Sequence, residues 1–171
     1  MLEISREKTG KKLSPTPKEL FLQYSDMVWR LALIRVGTRS YADDVLQEVF
    51  LRVVRLKPQF ESEQHAKAWL IKVTINCSNK LLSSAWMRHF ASLDEGQIPD
   101  THNEIEDNSL LVAVNKLKQK YKTVVHLYYY ENLKVGEISV LLNISQSAVK
   151  QRLKRAREQL KDYMTGDEDI V

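Results

Sequence analysis

The stretch that decides the fold runs from Val135 to Leu160 and reads VGEISVLLNISQSAVKQRLKRAREQL. It begins inside a short apolar segment, residues 134–142, and Asn143 follows this segment. Asparagine adopts the left-handed backbone conformation more readily than most residues other than glycine. Ser145 can then cap a last helix, which we expect to continue to about Tyr163. The pattern therefore predicts a helix, a tight turn and a second helix.

The last helix of this motif has two unlike sides. Its apolar residues recur at spacings of four, three and four, which predicts one buried face: Val149, Leu153, Ala156 and Leu160. The other positions carry six cations: Lys150, Arg152, Lys154, Arg155, Arg157 and Lys161. In a helix-turn-helix, the start of the second helix enters the DNA major groove and flanking cations bind phosphates.

This arrangement predicts two kinds of DNA contact. The residues expected to read base edges are Gln146, Ser147, Lys150 and Gln151. The residues expected to bind beside them are Lys154, Arg155 and Arg157. A basic helix that is merely solvated at the end of a bundle stays the alternative.

Helical spacing of apolar residues also fills the first half of the chain. A first helix is predicted after Pro15 and Pro17 and ends near Gly37. Ser40 precedes a second, with Asp43 and Asp44 in its first turn, where the helix dipole favours anions. The buried stripe of that helix is predicted to be Leu46, Val49, Phe50 and Val53.

Three more helices are predicted before the helix-turn-helix. Ser62 can cap the third helix of the chain, whose buried face is Ala66, Leu70, Val73, Cys77 and Leu81. Lys72, Asn76, Asn79 and Ser83 share another face of that helix. Leu110 opens a fourth helix, and residues 124–130 form an aromatic-rich fifth. The fold class is therefore all-α.

Charge divides the chain into blocks. Of the 171 residues, 1–92 have a net charge of +6, 93–108 of −6, 109–164 of +7 and the last seven of −3. Two basic blocks that flank an acidic segment suggest a polyanionic partner and a solvated connector. We therefore predict two small helical domains, 17–92 and 109–164, joined by an acidic linker, 93–108, with tails at 1–16 and 165–171.

Several classes of protein are disfavoured. No apolar run approaches the roughly 20 residues of a membrane span, and no apolar segment of a secretory signal follows the basic start, so we expect a cytoplasmic protein. A single cysteine, Cys77, excludes an internal disulfide. Phosphate-binding glycine loops, the zinc motif H-E-x-x-H and the nucleophile motif G-x-S-x-G are absent, so no enzyme activity and no cofactor are predicted. One catalytic alternative is a helical metal-dependent hydrolase that would use Asp43, Asp44 and Glu48.

Two stretches resemble one known family. YADDVLQEVFLRVVR, residues 41–55, is similar to the conserved helix of region two in sigma-70 family RNA polymerase sigma factors. Ala68, Trp69 and Leu70, followed by a helix that continues to Asn76, are typical of the extracytoplasmic-function (ECF) group of that family. Residues 130–160 resemble region four of the same group.

The resemblance implies roles that composition does not reveal. It assigns docking on core RNA polymerase to Asp44, Gln47 and Glu48. It assigns binding of the promoter's minus-ten element, including capture of a flipped base by the loop 57–64, to Phe60, Glu61, Ser62, Trp69, Lys72, Asn76 and Asn79. The helix-turn-helix residues named above would read the minus-thirty-five element.

The chain departs from the family around Asn76. Family members often carry an arginine just before this asparagine and more cations after it, whereas this chain has Ile75 before it and Cys77 after it. Fewer phosphate contacts are therefore expected on that helix. The partners implied are core polymerase, promoter DNA and an anti-sigma factor, and the leading rival is a helix-turn-helix regulator that acts without polymerase.

Overall fold

The structure, a computed structural model, describes residues 14–91 and 109–165; for residues 86–91, 109, 111 and 112 it describes the backbone alone. The predicted acidic linker therefore lies outside the described residues. The helices are α1 Pro17–Val36, α2 Arg39–Leu56, α3 Glu63–Ala91, α4 Ser109–Lys116, α5 Gln119–Val125, α6 Val135–Leu142 and α7 Gln146–Thr165. A π-helical turn, His126–Tyr130, continues α5. The predicted all-α fold class is confirmed.

The first helix begins and ends as its sequence predicts. Thr16 is the N-cap, and its hydroxyl accepts a hydrogen bond from the Glu19 amide while the Glu19 carboxylate accepts one from the Thr16 amide. Pro17 occupies the first helical position, where its missing N–H costs nothing. Gly37 ends the helix at φ 81°, a conformation that glycine adopts without strain.

The second helix begins earlier than predicted. Thr38, not Ser40, is the N-cap, and its hydroxyl accepts from the Tyr41 amide at 3.3 Å. Asp43 and Asp44 therefore lie beyond the first turn, where the helix dipole acts weakly. Asp43 is held instead by the indole of Trp29, whose Nε1 donates to its carboxylate at 2.8 Å.

Helices α1 to α3 share one hydrophobic core. Its fully enclosed positions on α2 are Ala42, Val45, Val49 and Val53, whereas Leu46 and Phe50, which are predicted to be buried, are half-buried. The prediction is therefore confirmed at Val49 and Val53 but wrong at Leu46 and Phe50, because tertiary packing turns the side of α2 that carries Ala42 and Val45 toward the core. On α3, the predicted buried face is confirmed at Ala66, Leu70, Val73 and Cys77.

Helices α4 to α7 contain the helix-turn-helix. Asn143 ends α6 with φ 52° and ψ 49°, the predicted left-handed conformation. Ser145 caps α7, since its hydroxyl accepts from the Ala148 amide at 3.1 Å. Val149, Leu153 and Ala156 are buried, as their spacing predicts.

The two groups of helices pack against each other through a shared apolar core. Leu31 of α1 and Ile71 and Ile75 of α3 contribute from one side. The second group contributes Val124, Leu127, Ile138, Val149 and Leu153. Each such side chain stabilises the contact by about 1.5–3 kcal/mol on full burial, so this interface is a substantial part of the fold. Within the described ranges no helix is long and apolar enough to cross a membrane.

Candidate nucleic-acid and partner interfaces

The N-terminal half of α7 presents a polar surface to solvent. Gln146, Ser147, Lys150 and Gln151 are all exposed, while Val149 on the opposite side is completely enclosed. The capped start of α7 fixes the direction in which these side chains project. Amide and ammonium groups at the start of a recognition helix can donate hydrogen bonds to purine edges in the major groove. The four residues predicted to read bases therefore lie together on one accessible surface.

A row of cations continues along α7 beyond this polar surface. Lys154, Arg155 and Arg157 are exposed. Lys154 approaches Glu158 at 3.9 Å, an exposed ion pair of little energetic weight. Arg157 turns back toward its own helix, and its Nε donates to the Leu153 carbonyl at 3.3 Å. Lys154 and Arg157 can therefore bind phosphates without first breaking a strong internal contact.

The predicted polymerase-docking residues lie on the outer side of α2. Asp44 and Gln47 are exposed, whereas Glu48 is half-buried and accepts a hydrogen bond from Arg52 Nε at 3.0 Å. This hydrogen bond is the largest contribution that raises the pKa of Arg52. Asp44 is therefore the more available carboxylate of the two.

A cavity of about 250 Å³ opens beside this surface, between α2 and α3. Asp44 and Glu48 line one wall, and Cys77 and Lys80 line the other. Burial raises the pKa of the Cys77 thiol, which keeps it neutral and unreactive. No cluster of three potential metal ligands occurs in the residues that the structure describes. The hydrolase alternative therefore lacks a donor set in this part of the chain.

The predicted minus-ten face of α3 is accessible. Lys72, Asn76 and Asn79 are exposed and project from one side of the helix at spacings of four and three. Asn79 is already engaged within the protein, because its Oδ1 accepts a hydrogen bond from Arg35 Nη2 at 2.6 Å. Lys72 and Asn76 are the members of this face that remain available to a ligand.

The loop before α3, residues 57–62, has exposed residues at its outer edge and buried residues beneath them. Glu61 is exposed, and its amide donates to His65 Nδ1 at 3.2 Å. Ser62 caps α3 as predicted, since its hydroxyl accepts from the His65 amide at 3.1 Å. Trp69 is half-buried, with its ring 5.8 Å from that of Phe60.

Phe60 corrects one sequence expectation. It was assigned to DNA contact, but only 1% of its surface is exposed, and it packs edge-on against His65 and Trp69. An aromatic ring enclosed in this way stabilises the loop by burial rather than by stacking on a base. Phe60 therefore supports the rings of His65 and Trp69 from inside the loop.

Arg35 is a buried polar residue of the domain interface that spacing alone did not identify. It is 7% exposed, and its Nη1 donates to the Thr123 hydroxyl of α5 at 2.5 Å while Nη2 reaches Asn79 of α3. Burial lowers the pKa of Arg35 to about 10. One signal is visible in the sequence: Arg35 is the one charged residue in the otherwise apolar run from Leu31 to Val36. A cation in such a run requires a buried polar partner.

A second polar contact across the domains is formed by Lys67, Glu131 and His126. Lys67 Nζ lies 2.9 Å from Glu131 Oε2 and also donates to the Glu131 carbonyl at 3.1 Å. His126, 1% exposed and stacked on Tyr130, has its Nε2 3.3 Å from Glu131 Oε1. Burial acts to raise the pKa of Glu131, but the polar contacts with His126 and Lys67 outweigh it, so the pKa is lowered.

Comparison with known proteins links both halves of the chain to one family. Residues 20–88 match the sequence model of sigma-70 region 2, and residues 107–160 match that of sigma-70 region 4. The chain is 28% identical to ECF RNA polymerase sigma factor SigE of Mycolicibacterium smegmatis, over 88% of the chain and 62% of SigE. It is 28% identical to ECF RNA polymerase sigma factor SigM of Bacillus subtilis, over 85% of the chain and 93% of SigM.

Solved structures show the same fold. The sigma factor RpoE of Bartonella quintana, crystallised with the anti-sigma factor NepR, superposes with a TM-score of 0.73 at 16% identity, over 86% of this chain and 96% of RpoE. CnrH, solved in complex with the cytosolic domain of CnrY, gives a TM-score of 0.62 at 19% identity, over 88% of each chain. At these identities the likeness concerns the helical architecture.

Proposed function

The chain belongs to the sigma-70 family of RNA polymerase sigma factors, in its ECF group, and we propose that it directs core RNA polymerase to chosen promoters. The observation that carries the proposal is the capped recognition helix α7, with four exposed polar side chains followed by exposed cations. The chain acts in the cytoplasm by binding, and the chemical step of transcription belongs to the polymerase.

We propose that α7 reads the minus-thirty-five element. Gln146, Ser147, Lys150 and Gln151 contact base edges, because they project from the first turns of the helix that enters the major groove. Lys154, Arg155 and Arg157 contact phosphates and contribute affinity without sequence preference.

The minus-ten element is assigned to α3 and the loop before it. Lys72 and Asn76 supply the exposed polar contacts, and Glu61, Ser62 and Trp69 form the rim where an unpaired base can be held. Asn79 contributes through its side-chain amide nitrogen, because Arg35 already holds its side-chain oxygen. This face is poor in cations, so strand separation at the promoter depends on few phosphate contacts.

Docking on core polymerase is assigned to Asp44, Gln47 and Glu48. Exposed carboxylates next to a cavity suit a partner surface that carries cations and inserts a side chain. Because Glu48 is already bonded to Arg52, Asp44 contributes more of the attraction in this proposal.

A protein inhibitor is the other partner that we propose. RpoE was crystallised with an anti-sigma factor, and the chain shares the architecture of RpoE. An inhibitor of this kind would compete with core polymerase for the chain. Its addition should prevent co-purification of the two, and unchanged co-purification at saturating inhibitor would contradict the assignment.

The two promoter-binding surfaces cannot bind their elements at the same time while the domains stay packed together. The two elements are centred about 25 base pairs apart, which corresponds to roughly 85 Å of duplex at 3.4 Å per step. The shared core instead holds α3 against α5, α6 and α7. We therefore propose that binding to polymerase and promoter separates the domains.

The test is reconstitution with core polymerase. The purified chain should co-purify with core polymerase and support transcription from a subset of a promoter library. A regulator that acts alone would bind duplex DNA specifically without polymerase and would leave transcription by core polymerase unsupported. That second outcome would replace the sigma-factor proposal with the rival.

A further inference from the structure

Three exposed lysines at the junction of α4 and α5 have no assigned role. Lys116, Lys118 and Lys120, which we call the lysine ridge, lie within five residues of one another. In the part of the chain that the structure describes, no carboxylate forms an ion pair with any of them. Three exposed cations at close spacing create a positive potential that attracts a polyanion.

The lysine ridge is fixed to the recognition helix by aromatic contacts. Lys120 Nζ lies 5.2 Å from the centre of the Tyr121 ring, and Lys116 Nζ lies 5.6 Å from the centre of the Tyr163 ring of α7. Tyr121 is buried and packs with Ala156 of α7. The ridge therefore keeps a defined position relative to α7.

The ridge is also electrostatically continuous with the cations of α7. The pKa of the Tyr121 hydroxyl is lowered, chiefly by its interaction with the Arg155 guanidinium and further by the charges of Lys120 and Lys118. The Tyr121 hydroxyl is thus influenced both by lysines of the ridge and by Arg155, a residue assigned to the minus-thirty-five contact. Cations that act on the same hydroxyl belong to one positive surface.

We propose that the lysine ridge, through Lys118 and Lys120, binds the DNA phosphate backbone next to the base pairs read by Gln146 to Gln151. The inference rests on the proposed promoter-binding function and extends the DNA contact from α7 to the α4–α5 junction. Lysine suits this role because its ammonium acts as a point charge that requires no base-specific geometry. The ridge should therefore contribute affinity and leave promoter preference unchanged.

The experiment uses the full chain reconstituted with core polymerase. The wild-type holoenzyme first selects a promoter duplex from a library with a randomised upstream element. Binding of that duplex is then compared for wild type, for K118Q/K120Q and for the control K18Q/R39Q, which removes two exposed cations from α1 and α2. Lys118 offers no side-chain cap to α5, so glutamine at this position leaves the helix start intact.

The expected result is a change in the salt dependence of binding. Loss of two phosphate contacts should lower the slope of log K against log salt by about 1.8 for K118Q/K120Q. The affinity deficit of this variant should therefore shrink about tenfold between 50 and 200 mM salt. The control should keep the wild-type slope.

Neutral phosphates locate the contact. Single phosphates around the upstream element are replaced one at a time by uncharged methylphosphonates. At the positions that the ridge contacts, the replacement should weaken duplex binding by the wild type but should not weaken binding by K118Q/K120Q. If K118Q/K120Q binds the duplex with the affinity and the salt slope of the wild type, the ridge assignment is overturned and the sigma-factor proposal stays intact. Weaker binding to core polymerase without DNA would overturn it in favour of an acidic protein surface. If the wild type selects no promoter at all, the proposed function fails and the ridge assignment fails with it.

Discussion

Arg35 and Thr123 are 88 residues apart in sequence, yet the guanidinium of the first donates a hydrogen bond of 2.5 Å to the hydroxyl of the second. Arg35 belongs to the region-two domain and Thr123 to the region-four domain. No carboxylate accompanies this buried cation within the described ranges, so neutral oxygens of Thr123 and Asn79 replace its hydration. The packed arrangement of the domains thus depends on these hydrogen-bond partners, because a cation in an apolar interface is strongly destabilised when it loses them.

Thr123→Val should reduce stability because it removes one of these oxygens while preserving side-chain shape. A hydrogen bond lost by a buried charged donor costs about 1.5–3 kcal/mol of unfolding free energy. Chemical denaturation monitored by circular dichroism measures the change. Thr74→Val is the control, since the Thr74 hydroxyl is also buried but bonds only to the Leu70 carbonyl of its own helix. Equal stability of the two variants would show that Arg35 does not depend on Thr123.

Glu131→Gln should weaken the packed arrangement in a pH-dependent manner. The folded-state pKa of Glu131 lies below 4.5, its ordinary value, so its contribution is present above that pH and is lost as pH falls through the folded value. We expect the unfolding free energy of the wild type to exceed that of Glu131→Gln by about 1.5–3 kcal/mol at pH 7. Denaturation curves between pH 7 and 3 should show this difference closing below pH 4.5. A difference that is constant over this range would contradict the ionised Glu131 contact with Lys67.

Asp44→Lys should impair docking on core polymerase. A reversed charge opposite a basic partner surface costs several kcal/mol, so affinity should fall at least tenfold. Asp26→Lys is the control, because Asp26 is also exposed but lies on α1 with Arg30 as its partner. Binding is measured by titration of labelled chain with core polymerase, with helicity checked by circular dichroism. Equal affinity for the two variants would remove Asp44 from the interface.

Gln151→Ala and Arg157→Ala should affect promoter use differently. Gln151 is exposed at the start of α7, so its loss should cost about 1–3 kcal/mol at one or two base pairs and change promoter ranking. Arg157 contacts phosphate in the proposal, so its loss should weaken all promoters alike and reduce the salt slope by about 1. Transcription from a randomised upstream library measures both. An unchanged ranking for Gln151→Ala would contradict its base-reading role.

The features that could be predicted from sequence are those that short stretches determine by themselves. The left-handed Asn143, the Ser145 cap and the buried Val149 and Leu153 depend on residues a few positions apart. The start of α2 was predicted less well, because Thr38 and Ser40 are both competent caps. Local sequence does not distinguish them, whereas the packing of α1 against α2 does.

The shared core of the two domains could not be predicted in this way. Ile71 and Ile75 lie on a second side of α3, and their spacing of four is compatible with burial but does not identify a partner. Their partners, such as Leu127 and Ile138, are more than fifty residues away across the linker. Burial of Phe60 was missed for a related reason: a lone aromatic in a loop has no periodicity that indicates which way it faces.

The shared apolar core also makes the free energy of domain separation depend on temperature. Parting the domains would transfer the side chains of Leu31, Ile71, Leu127 and Ile138 into water, and hydration of apolar surface raises the heat capacity. Apolar attraction of this kind weakens on cooling. The packed arrangement should therefore loosen at low temperature, so that a cold cell holds a larger fraction of this sigma factor ready to span a promoter.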